Sequence, residues 1–177
     1  NQLMRKPQIL LLAKALLGDD LMVWTTHIYP KEVGDGRVIS WHQDSAHWGL
    51  DSNRVLTIWV ALTEANAENG CMRMLPGSHK NGVVPHQDTW NKDNILTRGQ
   101  TIQSPIDPAM AVQVELEPGE ASFHHVKLWH GSDPNQSDDR RVSIAIRYIP
   151  TRPRQRYVAK DFATLVRGAD RFSHFVH

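Results

Sequence analysis

The residues with the clearest potential for chemistry are a histidine and an aspartate two positions apart, in Trp41-His42-Gln43-Asp44. In extended backbone, residues i and i+2 point to the same face, so both side chains can reach one ion. A second histidine from a distant strand would complete two imidazoles and one carboxylate with three open positions, a set that suits non-haem Fe(II). The pair alone is weak evidence, because two solvated turn residues give the same pattern.

Further segments of the chain make the His-x-Asp pair stronger evidence for a metal site. They are Trp59-Val60-Ala61-Leu62, Asn69-Gly70-Cys71, Pro76-Gly77-Ser78-His79-Lys80, and Leu128-Trp129-His130-Gly131-Ser132-Asp133-Pro134-Asn135 continuing to Arg140-Arg141. With the first motif and in this order, they resemble the phytanoyl-CoA dioxygenase family of 2-oxoglutarate-dependent oxygenases. The matching pieces span most of the chain, and jointly they are specific.

The resemblance implies a set of ligands for iron and for 2-oxoglutarate. Fe(II) would be held by His42, Asp44 and His130, and Arg141 would bind the far carboxylate of 2-oxoglutarate. A guanidinium fork meets a carboxylate with two parallel hydrogen bonds and stays charged at any working pH, which agrees with that role. Arg147 lies on the same face of the predicted strand and is the rival anchor, whereas Arg140 would point away.

Three more residues match positions that line the cosubstrate pocket in the family, namely Trp59, Ser132 and Lys31. Trp59 could equally be a core aromatic residue on an apolar strand. Ser132 could instead cap the turn at Asp133-Pro134. Lys31 falls in a stretch that varies in the family. The resemblance thus predicts a 2-oxoglutarate pocket formed by Arg141 and these three side chains.

The remaining histidines are not predicted to bind the metal. If residues 121–129 form one straight strand, His124 shares the face of His130 but lies roughly 20 Å away from it. We therefore expect His124 and His125 to be structural or to lie behind the ligands. His47 is predicted to line the pocket mouth or the surface, and His79 belongs to a Pro-Gly turn. The others have no partner at ligand spacing: His27, His86, His174 and His177.

The elements that must position these residues are mainly β. A helical apolar period covers Pro7 to Leu17, and Gly18 ends it. Short apolar or alternating runs then predict strands over Leu21–Tyr29, Val38–His42, Arg54–Leu62, Cys71–Leu75, Val112–Leu116, Ala121–Trp129 and Arg141–Ile149. A polar stretch, Gly82 to Ala111, is predicted to be a lid. The pattern and the resemblance favour a double-stranded β-helix (jelly roll, cupin-like) with an N-terminal helix.

Length and charge narrow the class of protein. The 177 residues fit one domain, and 20 Lys plus Arg against 19 Asp plus Glu leave a formal charge of +1 with no basic stripe for nucleic acid. The longest apolar run, Ile9 to Ala13, is too short to span a bilayer.

Cys71 is the only cysteine, which excludes an internal disulfide and favours a cytoplasmic location. Because Asn1 is not a methionine, we expect preceding residues in the full-length protein. The sequence indicates no oligomeric state.

The predicted function is oxidation of a C–H bond in a small-molecule substrate, with O2 and 2-oxoglutarate consumed and succinate and CO2 released. Related halogenases lack the carboxylate, so Asp44 favours hydroxylation or another oxidation, such as ring closure or desaturation. Two alternatives stay open. One is a non-catalytic jelly-roll binding module, and the other is a metal-dependent isomerase or hydrolase of cupin type, which would turn over without O2.

Overall fold

The computed structural model describes residues 2–177. Within them, one α-helix, α1, covers Pro7–Leu17 and precedes eleven strands. The strands are β1 Leu21–Lys31, β2 Ile39–His42, β3 Leu56–Ala61, β4 Met72–Met74, β5 His86–Gln87, β6 Thr101–Ile102, β7 Val112–Val114, β8 Ala121–His125, β9 His130–Ser132, β10 Arg141–Pro150 and β11 Thr164–Arg167. Single turns of 3-10 helix occur at Leu3–Arg5, Asp44–Ala46, Ser78–Asn81 and Pro108–Met110.

Two antiparallel sheets dominate the fold. The five-stranded sheet has the order β11-β1-β10-β3-β8, and the four-stranded sheet has the order β2-β9-β4-β7. Along the chain, β1, β3, β8 and β10 belong to the large sheet, whereas β2, β4, β7 and β9 belong to the small one. This exchange of strands between two sheets is that of a double-stranded β-helix, so the mainly β prediction is confirmed.

Helix α1 covers the outer face of the five-stranded sheet. It has the predicted bounds, with Pro7 in its first turn and Gly18 after its end at a φ of 103°. Its buried residues, Ala13 and Leu17, pack against a cluster of sheet residues. That cluster includes Leu56, Ile58, Val60, Ile146 and Tyr148. With this face covered, the other face of the sheet is left for the interior between the sheets.

Strand β10 shows the predicted alternation. Its Arg141, Ala145 and Arg147 are buried on the face that borders the interior cavity. Ile144 and Ile146 take the opposite face and join the cluster beneath α1. A strand covered on both faces carries few exposed positions, and charged residues on its inner face require a partner or a ligand.

Two parts of the chain differ from the sequence prediction. The predicted strand Ala121–Trp129 ends at His125, where the Leu128 amide donates to the His125 carbonyl at 2.8 Å and closes a turn. A separate strand, β9, then begins at His130. The polar segment from Gly82 to Ala111 contains the short β5–β6 pair. None of the described helices has the length and apolar composition needed to cross a membrane.

Candidate metal centre

The three predicted metal ligands lie where the two sheets meet. His42 ends β2, His130 begins β9, and the two residues are paired across these antiparallel strands. Asp44 starts the short 3-10 turn after β2. Gln43 between them has extended backbone, with φ −115° and ψ 132°, so its neighbours face the same way. The His-x-Asp spacing therefore does what the sequence pattern predicts.

The ligand atoms of this cluster converge. One atom each from His42, Asp44 and His130 lies within 4.8 Å of the others, and all three residues are buried. The Nε2 atoms of His42 and His130 lie 3.5 Å and 3.9 Å from Oδ1 of Asp44. Two imidazoles and one carboxylate are a donor set that suits a divalent transition metal such as Fe(II).

Backbone contacts fix the tautomers of both imidazoles. Nδ1 of His42 lies 2.9 Å from the carbonyl of Ser40, and Nδ1 of His130 lies 2.9 Å from the carbonyl of Leu128. A carbonyl oxygen can only accept, so each Nδ1 carries the proton and donates it. Each Nε2 is left with its lone pair, and these are the atoms that converge on Asp44. The residues present therefore fit a metal ion.

The charge states also fit a metal ion. Burial raises the pKa of Asp44, but the neighbouring imidazoles of His124 and His42 outweigh it, and the pKa lies well below its usual value. Burial lowers the pKa of His130 well below its usual value, and the nearby His42 adds to this effect. An ionised carboxylate beside a neutral imidazole is the protonation state in which both groups can bind a metal.

His124 lies much closer to the ligands than the straight-strand prediction allowed. Because the chain turns after His125, the ring of His124 lies 4.7 Å from that of His130, measured between centroids. Its Nε2 is 3.8 Å from Oδ2 of Asp44, and this oxygen accepts a hydrogen bond from the Thr57 hydroxyl at 3.3 Å. The predicted distance of roughly 20 Å was wrong. His125 is exposed, and its ring lies 5.7 Å from that of the half-buried His79, measured between centroids.

Most of the predicted cosubstrate residues line one cavity with the metal ligands. This cavity contains Trp59, Ser132 and Arg141 together with His42, Asp44 and His130. The Arg141 guanidinium carbon is 5.5 Å from the centre of the Trp59 ring. Trp59 is thus both a buried core residue and a wall of the cavity. The Ser132 hydroxyl is buried without a hydrogen-bond partner among the described residues, so it does not cap the following turn.

Arg141 is held by neutral groups only. Its Nη1 donates to the Ser143 hydroxyl and its Nη2 to the Gly70 carbonyl, each at 3.0 Å, while its Nε is buried without a partner in the described chain. Burial lowers the pKa of Arg141 to about 10, which still leaves it charged at neutral pH. A buried guanidinium with unused donors is suited to an anionic ligand.

Lys31 lies behind Arg141 rather than in this cavity. The two residues are paired across β1 and β10, and Lys31 is fully buried. Its ammonium donates to the carbonyls of Asp133 and Arg37. Burial, with a smaller effect from Arg141, lowers the pKa of Lys31 to about 7. The contacts of Lys31 are therefore with the backbone between β1 and β2 and with the backbone that follows β9, and the structure does not bring its side chain to the metal ligands.

Gln43 lies between the two ligands, and the sequence analysis predicted no role for it. It is fully buried, and its Nε2 donates to the carbonyls of Gly82 and Lys127 at 2.8 Å and 2.7 Å. Its Oε1 accepts from the Val84 amide, and its own amide donates to Nε2 of His86 at 2.9 Å. The alternation of side chains in extended backbone could have predicted this orientation, because a residue flanked by two inward-facing ligands must point to the other side.

The segment predicted to be a lid lies against β2. The Val38 amide donates to the Asp93 carbonyl at 2.9 Å, and the Ile95 amide donates to the Val38 carbonyl at 2.8 Å. Leu96 lines the cavity that holds the metal ligands. His47, predicted at the pocket mouth, lines a second and larger cavity on the same side. This segment therefore covers the site, while its opening and closing stay a prediction.

Comparisons with known proteins agree with this geometry. A family model described as phytanoyl-CoA dioxygenase (PhyH) matches residues 1–143. The chain is 31% identical over 150 residues to a probable alpha-ketoglutarate-dependent hypophosphite dioxygenase of Stutzerimonas stutzeri, covering 84% of this chain and 52% of the relative. It is 30% identical over 148 residues to the peroxisomal phytanoyl-CoA dioxygenase of Bos taurus, covering 80% and 43%. The chain thus spans about half the length of these relatives.

Solved structures share the fold. The non-heme monooxygenase ThoJ in its apo form matches with a TM-score of 0.87 and 38% identity, over 99% of this chain and 63% of that one. EvdO2 from Micromonospora carbonacea var. aurantiaca, complexed with 2-oxoglutarate, matches with a TM-score of 0.72 and 30% identity, over 89% and 65%. Since the family model covers well over half of its residues, the chain belongs to the phytanoyl-CoA dioxygenase (PhyH) family.

Proposed function

We propose that residues 1–177 form a single Fe(II)- and 2-oxoglutarate-dependent dioxygenase domain that oxidises a C–H bond of a small molecule. The observation that carries the proposal is one cavity in which His42, Asp44 and His130 converge and a buried Arg141 faces the same interior. A binding module has no need for an unpaired buried guanidinium beside three metal ligands. Relatives whose names include alpha-ketoglutarate support the same reaction class.

The proposed metal ligands are Nε2 of His42, Nε2 of His130 and a carboxylate oxygen of Asp44. When bound, Fe(II) supplies the activation of O2 that couples decarboxylation of 2-oxoglutarate, to succinate and CO2, with oxidation of the substrate. The chain's own contribution is to hold the imidazoles in one tautomer and to keep the carboxylate ionised. With the carboxylate present, hydroxylation is favoured over halogenation.

Arg141 is the proposed anchor for the distal carboxylate of 2-oxoglutarate. It is charged, buried at 2% exposure, and has neutral hydrogen-bond partners that a carboxylate could supplement or replace. Trp59 would form one wall of the cosubstrate site and Ser132 would donate its free hydroxyl. Lys31 has a different proposed role, which is to support the backbone around Asp133 behind that site.

Water must be kept from the reacting groups while the substrate is oxidised. The segment that includes Leu96 covers the cavity, and Gln43 joins this segment to the strand that carries the ligands. His86 accepts from the Gln43 amide and donates to the Val84 carbonyl, which requires a neutral ring with its proton on Nδ1. These contacts support a lid that is attached directly to the metal-binding turn.

An anaerobic titration followed by an aerobic assay tests this function. The protein with Fe(II) should develop a visible charge-transfer band on addition of 2-oxoglutarate, and on exposure to O2 it should release succinate. A matched control is the double variant His42→Ala/His130→Ala, which should show neither signal. A parent protein with metal bound but no band and no succinate would favour the binding module. Turnover of a substrate without O2 would favour the isomerase or hydrolase alternative.

The substrate and the cellular location stay open to experiment. The relatives named above act on chemically different molecules by their names, so no substrate is transferred from them. The cytoplasmic location predicted from the single cysteine remains a proposal. O2 and a small organic molecule are the proposed partners of the reaction.

A further inference from the structure

The larger cavity beside the metal ligands has a buried cation at its inner end. Arg147 lies on β10, on the same face as Arg141 but six residues further along, roughly 20 Å at the usual rise per residue. It is 6% exposed and borders both the cavity of the metal ligands and the larger one.

The partners of Arg147 are neutral. Its Nη1 lies 2.6 Å from Nδ1 of His27 and 3.4 Å from the Thr25 hydroxyl, and its Nη2 donates to the Tyr29 hydroxyl at 3.1 Å. Since a guanidinium only donates, Nδ1 of His27 must be an unprotonated acceptor. Burial and the charge of Arg147 lower the pKa of His27, which agrees with a neutral ring.

No carboxylate among the described residues forms an ion pair with Arg147. The one acidic residue that lines either cavity is Asp44, whose oxygens face the imidazoles and Thr57. The Nε of Arg147 is buried without a hydrogen-bond partner in the described chain. The charge of Arg147 contributes to the lowered pKa of Asp44, but the two groups form no ion pair, so the buried guanidinium has no direct carboxylate partner.

Two tryptophans and a leucine form the apolar part of the wall around Arg147, beside polar residues such as Thr97 and Gln100. Trp48 lies against the guanidinium, 4.7 Å from ring centre to carbon, and Trp24 meets Trp48 edge-on at 5.4 Å. Leu96 closes the side towards the metal ligands. The second arginine of the cavity, Arg98, is at the rim and lies 3.5 Å from a carboxylate of Asp88. The cavity has about 570 Å³ of space for a ligand, which is enough for a small organic molecule.

We propose that Arg147 anchors the substrate, and that the substrate carries an oxyanion, a carboxylate or a phosphonate, on an apolar or aromatic body. The inference rests on the proposed function for the position of the reacting end beside His42 and Asp44. The oxyanion pairs with the guanidinium of Arg147, the tryptophans contact the body, and the bond to be oxidised lies on the side of the metal ligands. Arg141 and Arg147 thus bind two different anions from one strand.

The test uses three probes of nearly the same skeleton: hydrocinnamate, phenethylphosphonate and hydrocinnamyl alcohol. Each is titrated calorimetrically into the anaerobic protein with Fe(II) and saturating 2-oxoglutarate. The parent should bind at least one anion about ten- to a hundredfold more tightly than the alcohol, the range for a hydrogen bond to a charged group. The preferred anion distinguishes the carboxylate from the phosphonate. Equal affinities, or no binding of either anion, would overturn the proposal.

Variants of the two arginines that line this cavity show which of them causes the preference for anions. Arg147→Gln should remove the preference for anions, whereas Arg98→Gln, which changes a rim charge in the same cavity, should keep it. A preference that survives in Arg147→Gln overturns the proposal. If Arg147→Gln does not fold, Arg147→Lys provides the test, because an ammonium lacks the fork and should lose roughly threefold or more in anion affinity. Unchanged affinity in Arg147→Lys also overturns it.

Two outcomes separate this inference from the proposed function. If Arg147→Gln loses the charge-transfer band with 2-oxoglutarate, Arg147 is the cosubstrate anchor, and the substrate proposal fails while the dioxygenase function stands. If the parent itself shows no band with 2-oxoglutarate, the dioxygenase function fails. The anion preference is then measured on the protein with Fe(II) alone, where the same comparison of Arg147→Gln with Arg98→Gln decides it.

Discussion

The two sheets of this protein contribute different groups to the site. The small sheet has short strands at the metal, four residues in β2 and three in β9, and these carry His42 and His130. The large sheet has long strands, and β3 and β10 carry Trp59, Arg141 and Arg147. The metal thus depends on the short strands, and the proposed organic ligands depend on the long ones.

The two sheets are also stabilised differently. Strand β10 pairs along its length with β1 and β3, and helix α1 packs on their outer face. The short strands rely on side chains from nearby loops. Gln43 holds the covering segment, Asn94 donates to the Ser40 hydroxyl at 2.7 Å, and Ser78 accepts from the Trp129 amide at 2.9 Å. The comparison teaches that metal geometry here is set by loop contacts as much as by strand pairing.

The largest effect is expected from loss of a ligand on the short strands. His42→Ala or His130→Ala leaves two of the three converging atoms, so stoichiometric Fe(II) binding should be abolished. The measurement is anaerobic calorimetry with Fe(II), together with the charge-transfer band of 2-oxoglutarate. His125→Ala is the matched control, because this exposed histidine lies outside the ligand cluster. A normal band in His130→Ala would move the distal ligand, and His124 would be the next candidate.

The next effect concerns the long strand. Arg141→Ala should weaken 2-oxoglutarate binding while metal affinity stays nearly intact, since Arg141 lies outside the three-residue cluster. Removing one partner of a buried charge pair costs about 3–5 kcal/mol, or roughly a hundredfold to several-thousandfold in affinity. Arg141→Lys should recover part of the loss because an ammonium cannot form two parallel hydrogen bonds. The measurement is the apparent affinity for 2-oxoglutarate.

Arg140→Ala and Arg147→Ala are the controls for this assignment. Arg140 is exposed and pairs with Glu32 at 2.9 Å on the surface, so its loss should leave 2-oxoglutarate binding unchanged. A large loss in Arg147→Ala, with none in Arg141→Ala, would place the anchor at the other end of β10. If none of the three changes matters, the cosubstrate is a molecule other than 2-oxoglutarate.

The same division explains what could be predicted from the sequence. The helix has strong local signals at Pro7 and Gly18, and the alternation from Arg141 to Arg147 is long enough to assign faces. The His-x-Asp pair needs only two residues of extended backbone. Long or local patterns such as these were predicted correctly, and the His-x-Asp pattern accounts for the convergence of His42 and Asp44. His130 was expected from the family resemblance alone, and the structure brings it to the same cluster.

The short strands were harder to predict because nothing local distinguishes them. The apolar run from Ala121 to Trp129 reads as one strand, yet its continuation is interrupted by a turn that depends on the Leu128–His125 hydrogen bond. That turn decides where His124 lies. The role of Gln43 depends on residues more than thirty-five positions away, and such contacts leave no periodic signal in the sequence.

An intermediate effect is expected from the contact between the short strand and the covering segment. Gln43→Leu removes three hydrogen bonds and leaves the Val84 amide without its acceptor, which should lower the free energy of unfolding by about 1–3 kcal/mol. Because Gln43 orients both neighbouring ligands, Fe(II) affinity should fall by about tenfold. Urea unfolding, calorimetry and amide exchange over residues 82–86 measure these changes.

Gln87→Leu is the matched control, since Gln87 is exposed on the same segment. It should change neither iron affinity nor exchange. If Gln43→Leu binds iron as well as the parent and its loop exchanges no faster, strand pairing alone holds the ligands. The difference between the two sheets would then be one of strand length only.

The smallest effect is expected from His124, and it tests whether the large sheet supplies a metal ligand after all. His124 lies on β8, and both ring nitrogens are buried without a hydrogen-bond partner among the described residues. His124→Leu replaces these orphaned polar atoms with an apolar group, so the free energy of unfolding should change by less than about 1 kcal/mol. Fe(II) affinity should stay within roughly threefold of the parent, because the three converging ligand atoms are unchanged and His42 still helps to keep the Asp44 carboxylate ionised. A loss as large as that of His130→Ala would make His124 a third imidazole ligand, and the metal would then bridge both sheets.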